Sequence, residues 1–154
     1  MYIIVTAKKE IADEAKENGA KVYEDAQVTE STARFEVISY DEAEARVMKL
    51  MNSLAFKTHL KGYDYISYIL MKCALDSKYH MKSMTKVIYP DCAKEFETTS
   101  SRVERALRHA IEISFEEVPK KYSQIFSREL KEEPTNSEFI SMMSQYIRYS
   151  VAAV

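Results

Sequence analysis

The sequence predicts a mostly α-helical protein in which a small α/β unit of the order βαββα precedes an all-helical region. Only two glycines and three prolines interrupt 154 residues, and 30% of the residues are charged, which is typical of a helix-rich protein. Short apolar or alternating runs near the N-terminus have the period of strands, whereas apolar residues from Ala55 onward recur at helical spacing. We therefore divide the chain into residues 1–54 and residues 55–154.

Residues 1–54 contain three predicted strands, at 2–7 (YIIVTA), 20–25 (AKVYED) and 33–39 (ARFEVIS). A first helix between the first two strands stops at Gly19, and Asp41 caps a second helix that runs to about Leu54. A unit of this size buries little core alone. We expect it to pack on the rest of the chain or on another copy, as a dimerisation or sensing module.

The all-helical region begins with a long helix after Gly62. A short helix starts near Pro90, which suits a first helical turn, and the last helix starts at a capping box formed by Thr135 and Glu138. The predicted helices cover 63–79, part of 84–96, the stretch TTSSRVERALRHAIE at 98–112, 121–130, and a segment from 135 onward.

The stretch at 98–112 predicts an amphipathic helix with one basic face. An apolar stripe runs along one side, and the polar and basic residues share the other side. The stripe contains Val103, Ala106, Leu107, Ala110, Ile111 and Ser114, and the opposite face contains Ser101, Arg105, Arg108, His109 and Glu112, with Arg102 beside it. Ser101 and Glu104 also match a capping box, which predicts that Ser101 caps this helix.

The short helix before this stretch predicts a helix-turn-helix. Ala93 supplies the small residue that lets a second helix cross closely, and residues 97–99 form a turn of the usual length, although without the frequent glycine. Cys92, Phe96, Val103 and either Ala106 or Leu107 are the predicted crossing contacts. In such a unit the second helix enters the DNA major groove, where arginine donates two hydrogen bonds to guanine.

A solvated surface is the alternative interpretation of the same basic face, since many amphipathic helices carry several arginines. The overall charge of −2 does not favour DNA, but residues 78–108 contain seven Lys/Arg against four Asp/Glu. A local basic patch suits a polyanionic partner. On the pattern alone, Glu104 caps its own helix and His109 is a surface or packing residue.

Other classes of protein find little support in the sequence. It shows no Gly-rich phosphate loop and no nucleophile motif, so we do not expect an enzyme or a bound cofactor. His59, His80 and His109 match no metal-ligand spacing, and Cys73 and Cys92 fall in apolar helical patterns that predict buried free thiols. The chain has neither a signal-peptide pattern nor a long apolar run, which predicts a cytoplasmic protein without a membrane span.

Several separated motifs resemble the DNA-binding effector domain of the sporulation stage-zero response regulator family. They are HLKGYDYI at 59–66, MTKVIYPDCAKEFETTSSRVERALRHAIE at 84–112 and PTNSEFI at 134–140, in the family's order. The likeness spans about residues 57–148. It implies an all-helical domain that recognises a short box in double-stranded DNA, binds as tandem copies and contacts RNA polymerase.

The resemblance also implies the site residues by position. The expected base contacts are Ser101, Arg102, Glu104, Arg105, Arg108 and His109, with Arg102 and Arg105 as first choices. The hydroxyls and free N–H groups at the helix start suit a phosphate. The expected phosphate contacts are Lys86, Lys94, Thr98, Thr99, Ser100, Thr135 and Asn136.

The N-terminal stretch departs from that family. The family carries a phosphoacceptor receiver domain with an acidic pair after its first strand, and YIIVTAKKE has no such pair. We therefore expect regulation that does not depend on receiver phosphorylation. The rival hypothesis is a protein-interaction module, or decoy, that pairs with a full-length regulator while the acidic residues 1–54 shield the basic helix.

Overall fold

The computed structural model describes residues 3–5, 21–23 and 38–149, which divide between two compact units at residues 1–36 and 37–154. In the first unit, strand β1 (Ile3–Val5) pairs in parallel with strand β2 (Lys21–Tyr23), with Ile4 opposite Val22. Both strands lie within predicted strand runs. The predicted first helix and residues 33–37 of the predicted third strand fall outside the described residues, so the unit as a whole stays a prediction.

The second unit is helical, as predicted for this part of the chain. Its elements are α1 (Tyr40–Ser53), α2 (Lys61–Leu75), a 3₁₀ turn (Tyr79–Met81), a π-helical turn (Met84–Ile88), α3 (Tyr89–Glu95), α4 (Ser100–Glu117), α5 (Pro119–Phe126) and α6 (Asn136–Tyr149). Helix α2 is central, because α1, α4 and α6 all pack against it. The helical unit positions α3 and α4 next to each other in space.

Helix α1 belongs to this helical unit, which differs from the predicted division at residue 54. Its inner face, formed by Ala43, Val47, Leu50 and Met51, is buried in the same core as Ile66 of α2. Because that face covers α2 and α6, the helix cannot be separated from them without exposing apolar surface. The compact unit therefore starts at residue 37.

Several helix ends differ from the prediction by a few residues. Ser39, not Asp41, caps α1, because its hydroxyl accepts a hydrogen bond from the Glu42 N–H at 3.2 Å. Pro119 starts α5, ahead of the predicted start at residue 121. The predicted first turn at Pro90 is confirmed for α3.

Gly62 sets the distance between α2 and α4. A Cβ atom at this position would lie 2.4 Å from the Ala106 carbonyl oxygen and 2.6 Å from the Ala110 Cβ. No side chain fits in that space, so the first turn of α2 rests directly on the backbone of α4. The absence of a side chain at residue 62 therefore determines how closely α2 supports α4.

The C-terminal half of α4 is anchored by a buried hydrogen-bond network. Ser114, 1% exposed, donates through Oγ to the Leu54 carbonyl at the end of α1. Since that uses the only hydroxyl hydrogen of Ser114, the Tyr122 hydroxyl of α5 donates to Ser114 Oγ at 2.7 Å. Burial raises the pKa of Tyr122, which keeps the phenol in the donating form.

Both cysteines are buried free thiols, as predicted. Burial raises the pKa of the Cys73 thiol to about 11 and that of Cys92 to about 12. Thiols with such pKa values are not thiolates near neutral pH and pack as small apolar residues. No helix among the described residues is long and apolar enough to span a membrane.

Candidate nucleic-acid interface

Helices α3 and α4 are joined by a tight turn that needs a left-handed residue. Glu97 has φ 51°, and the Thr98 N–H donates to the Ala93 carbonyl at 2.9 Å. The Glu97 N–H donates to the Lys94 carbonyl at 3.4 Å, which completes a Schellman motif at the end of α3. Ala93 is buried beneath this turn, as the helix-turn-helix pattern predicts.

Thr99, rather than the predicted Ser101, caps α4. Its side chain accepts a hydrogen bond from the Arg102 N–H at 3.3 Å, and the helix starts at Ser100. Ser101 therefore lies within the first turn, and the predicted capping box of Ser101 with Glu104 is wrong. The turn sets the cap and the first helical residue two positions earlier than the sequence pattern indicated.

The apolar stripe of α4 faces the core as predicted. Val103 and Leu107 are fully buried, and Ala110, Ile111 and Ser114 follow on the same side. Phe96, a predicted crossing contact, is not buried between α3 and α4. It stays 38% exposed, and its ring lies edge-on against Tyr65 and Tyr68 of α2 at centroid distances of 5.0 and 5.7 Å.

The opposite side of α4 presents a row of cations and polar groups. Five of the six predicted base contacts are exposed and Glu104 is half-buried. The exposed residues are Ser101, Arg102, Arg105, Arg108 and His109. They lie on the first two and a half turns, where a recognition helix meets base edges.

The Glu104 carboxylate forms an ion pair with Arg108 and does not cap the helix. An oxygen of the Glu104 carboxylate accepts a hydrogen bond from the Arg108 guanidinium at 2.7 Å, one turn further along α4. The side chains keep 43% and 67% of their exposure, so the pair is a surface ion pair of modest strength. Its effect is to restrict Arg108 to one side of the helix.

The basic row borders a cleft of about 680 Å³ between α2, the turn and α4. Arg102, Arg105 and His109 line it from α4, and Lys61 lines it from the start of α2. Tyr65 and Phe96 form an apolar part of the wall. Aromatic and basic side chains thus meet on one concave surface, and the anionic backbone of a nucleic acid is the ligand class that such a surface fits.

The side chain of Asn136, a predicted phosphate contact, is engaged inside the protein. It is only 8% exposed, and its amide nitrogen Nδ2 donates to the Tyr89 hydroxyl at 3.0 Å and to the Glu104 carbonyl at 3.1 Å. Both amide hydrogens are therefore used inside the protein. Asn136 joins the start of α6 to α3 and to the exposed half of α4.

The other predicted phosphate contacts lie on or beside four separate elements. Lys86 and Lys94 are exposed on the π-helical turn and on α3, and Thr99 is exposed at the start of α4. Thr98 and Ser100 are half-buried beside it. Thr135 caps α6, since its hydroxyl accepts a hydrogen bond from the Glu138 N–H at 3.2 Å, and its side chain is exposed.

Sequence reasoning missed Lys61 and Tyr65 as neighbours of the basic row, because they lie about 40 positions earlier in the chain. It also missed the link from Asn136 to Glu104. The one local signal was Gly62, which the prediction placed just before the helix and which lies in the first turn of α2, where a glycine often marks a close helix crossing. Among residues 38–149, no group of three or more His, Cys, Asp or Glu side chains is arranged to hold a metal ion.

The tight turn, the buried Ala93 and the exposed basic helix define a helix-turn-helix protein of the DNA-binding class. Its residues 47–147 match the family model of the sporulation initiation factor Spo0A C terminal. The chain belongs to that family, whose members are DNA-binding domains of transcription factors. The resemblance of residues 57–148 is thereby confirmed.

Proposed function

We propose that the protein is a sequence-specific regulator of transcription that reads double-stranded DNA with α4. The observation that carries the proposal is the row of exposed arginines on the second helix of a helix-turn-helix. Arg102 and Arg105 lie in the first turns of α4 and line the same cleft. At this position a guanidinium reaches guanine O6 and N7 in the major groove.

The remaining contacts follow from the same docking. The exposed Thr99 and the N-terminus of α4 face the backbone on one side of the groove, where N–H groups and hydroxyls bind phosphate. Lys86, Lys94 and Thr135 supply further phosphate contacts on neighbouring elements. Arg108 and His109 reach bases further along α4, whereas Asn136 supports the helix from inside.

Binding of a labelled duplex that carries the family's box, compared with a scrambled duplex, tests the proposal. The unaltered chain should prefer the box, and its affinity should fall steeply with salt. Arg102→Ala should cost about 1–3 kcal/mol of discrimination at one base pair. Lys120→Ala, an exposed lysine on α5, is the matched control and should leave discrimination unchanged. Equal affinity of the unaltered chain for both duplexes would sink the sequence-specific function.

We further propose that this regulation does not depend on a receiver phosphorylated on the same chain. The support is the stretch YIIVTAKKE, which has no acidic pair of the kind that a receiver needs to hold its metal ion. Incubation with a small-molecule phosphodonor such as acetyl phosphate should leave the affinity for the box unchanged. A rise in affinity together with incorporated phosphate would contradict this part of the proposal.

RNA polymerase and a second copy of the chain are further proposed partners. The family binds as tandem copies, so two adjacent boxes on one duplex should bind two chains with positive cooperativity. Binding curves on duplexes with one box and with two boxes test this. Identical affinities per box would mean that each chain binds DNA independently, without contact to a second copy.

A protein-interaction role is the second candidate function. Residues 1–36 contain eight Asp/Glu and five Lys/Arg, an acidic composition opposite in sign to the basic row of α4. A decoy would bind a full-length regulator of the family and lower that regulator's occupancy of the box. It would itself show no preference for the box, which separates this function from the leading proposal in one competition experiment.

A further inference from the structure

Two lysines lie against a single buried tyrosine outside the basic row of α4. The Lys72 ammonium is 5.5 Å from the centre of the Tyr79 ring, and the Lys82 ammonium is 5.2 Å from it. Tyr79 is only 4% exposed, so the ring is a fixed support. A cation over an aromatic ring is attracted by the negative face of the π system. We call Lys72, Lys82 and Tyr79 the Tyr79 lysine site.

The ring is held in place by a hydrogen bond to the first helix of the helix-turn-helix. The Tyr79 hydroxyl donates to Asp91 Oδ2 at 2.8 Å, which ties the 3₁₀ turn to the first turn of α3. Burial and this hydrogen bond raise the pKa of Tyr79, so the phenol stays neutral and keeps donating. The ring against which the two lysines lie is therefore fixed relative to α3.

Neither ammonium group forms an ion pair with a residue among 38–149. The ion pairs in this part of the chain are Arg46 with Glu42, Lys57 with Glu117, and Arg108 with Glu104. Asp91, which accepts the Tyr79 hydrogen bond, supplies one carboxylate against two ammonium groups. Lys82 is exposed and Lys72 is half-buried, so positive charge remains at the surface.

A chain of contacts connects this site to the cleft beside α4. The Lys72 ammonium is also 5.5 Å from the Tyr68 ring, and the Tyr68 ring is 5.7 Å from the Phe96 ring. Phe96 lines the cleft together with Arg102 and Arg105. Through these two contacts the Tyr79 lysine site is linked to the wall of the cleft that borders α4.

We propose that Lys72 and Lys82 form a second phosphate-binding site that holds the DNA backbone flanking the box. The inference rests on the proposed function, because α4 in the groove places the flanking backbone beside the Tyr79 lysine site. The ammonium groups act as point charges and carry no information about sequence. The site contributes affinity and salt dependence, and leaves the choice of base pairs to α4.

The double variant Lys72→Gln/Lys82→Gln tests the site, since glutamine keeps a polar chain on each stem and removes both charges. Two lost phosphate contacts should reduce the slope of log affinity against log salt by about 1.8, at roughly 0.9 per contact. Affinity for the box and for the scrambled duplex should fall by the same factor. The ratio of the two affinities should stay at the value of the unaltered chain.

Duplex length supplies a second readout that a general loss of stability does not reproduce. Trimming the base pairs that flank the box should lower the affinity of the unaltered chain and bring it close to the affinity of the double variant. The double variant should lose little from the same trimming, because its flanking contacts are already gone. The matched control is Lys49→Gln/Lys120→Gln, which removes two exposed lysines from α1 and α5. It should keep the full dependence on flank length.

Lys72→Arg/Lys82→Arg should keep the slope of log affinity against log salt at the value of the unaltered chain, since arginine also binds phosphate. A double glutamine variant with an unchanged salt slope, or with the same loss on trimmed and untrimmed duplexes, overturns the second site. Those results leave the preference of the unaltered chain for the box intact, so the failure of the site is distinct from the failure of the proposed function. Binding of neither duplex by the unaltered chain overturns both.

Discussion

The backbone of Gly62 rests against Ala106, so that a Cβ on residue 62 would lie 2.4 Å from the Ala106 carbonyl oxygen. Ala106 is part of the recognition half of α4, between Arg105 and Leu107. The first turn of α2 thus sets the position of the residues that we propose to face DNA. A change at this contact acts on both the stability of the unit and the placement of the arginines.

Gly62→Ala should destabilise the protein although alanine favours a helix. The new methyl group meets backbone atoms that cannot rotate away, so α2 and α4 must separate, at a cost of about 1–3 kcal/mol or more. Urea unfolding measures the loss as a lower midpoint. Asp64→Ala, at an exposed position on the same helix, is the control and should change stability little. A midpoint unchanged by Gly62→Ala would show that the contact is looser than the structure has it.

Glu97→Gly should stabilise the protein. Glu97 occupies the left-handed region at φ 51°, where a side chain costs about 1 kcal/mol or more and glycine costs little. Urea unfolding should show a gain of about 0.5–1 kcal/mol. Glu95→Gly, at the last residue of α3, should instead lower stability, because glycine loses more backbone entropy where the helical conformation suits any residue. Losses of similar size from both changes would argue against a left-handed residue 97.

The losses of stability caused by Asn136→Ala and by Tyr89→Phe should not be additive. Each removes one partner of the buried hydrogen bond between the two side chains, and a buried group left without its partner costs about 1–3 kcal/mol. The double variant should therefore cost less than the sum of the two single changes, with a coupling of at least about 0.5 kcal/mol. A double-mutant cycle by urea unfolding measures the coupling. Strict additivity would mean that the two side chains do not interact in solution.

Glu104→Gln should weaken discrimination. The change removes a negative charge from the DNA-facing helix and releases Arg108, whose pairing contributes roughly 0.2–0.5 kcal/mol. The scrambled duplex should gain more affinity than the box duplex. Glu112→Gln makes the same charge change at an exposed residue of α4 with no ion pair among residues 38–149. It should strengthen binding to both duplexes equally, and equal behaviour of the two variants would show that Glu104 does not position Arg108.

The free energy of unfolding should fall as the pH rises above about 9, which is the ordinary pKa of a cysteine thiol. Burial raises the pKa of Cys73 to about 11 and that of Cys92 to about 12, so the unfolded chain loses these protons first. The stabilisation is complete below pH 9 and declines towards the folded pKa values, by at most about 1.4 kcal/mol per pH unit for each thiol. Cys92→Ala should make the decline shallower in urea unfolding between pH 8 and 10.5. An unchanged slope would mean that Cys92 ionises equally in both states.

The periodic parts of the fold could be predicted from the sequence, and the contacts between distant segments could not. The apolar stripe through Val103 and Leu107 follows from helical spacing, and the helix-turn-helix follows from Ala93 and the short turn. The capping residues were missed because Ser39, Thr99 and Ser101 are all acceptable caps, and only the turn geometry selects among them.

The candidate site was predictable where one helix supplies it. Arg102, Arg105, Arg108 and His109 share a face of α4 by spacing alone. Lys61 and Tyr65 join them only because Gly62 lets α2 approach α4, and no local pattern encodes that distance. Asn136 was predicted as a phosphate contact, whereas tertiary packing buries its amide against Tyr89, a contact that no local pattern encodes.

The hydrogen bond from Ser114 to the end of α1 fixes α4 at the end remote from its exposed arginines. The side chains at 101, 102, 105 and 108 are exposed, so exchanging them leaves this buried anchor of the helix intact. On the proposed docking, new target preferences are therefore accessible by substitution at these positions with little cost in folding. On that docking the helical unit is a scaffold that tolerates changes of target sequence.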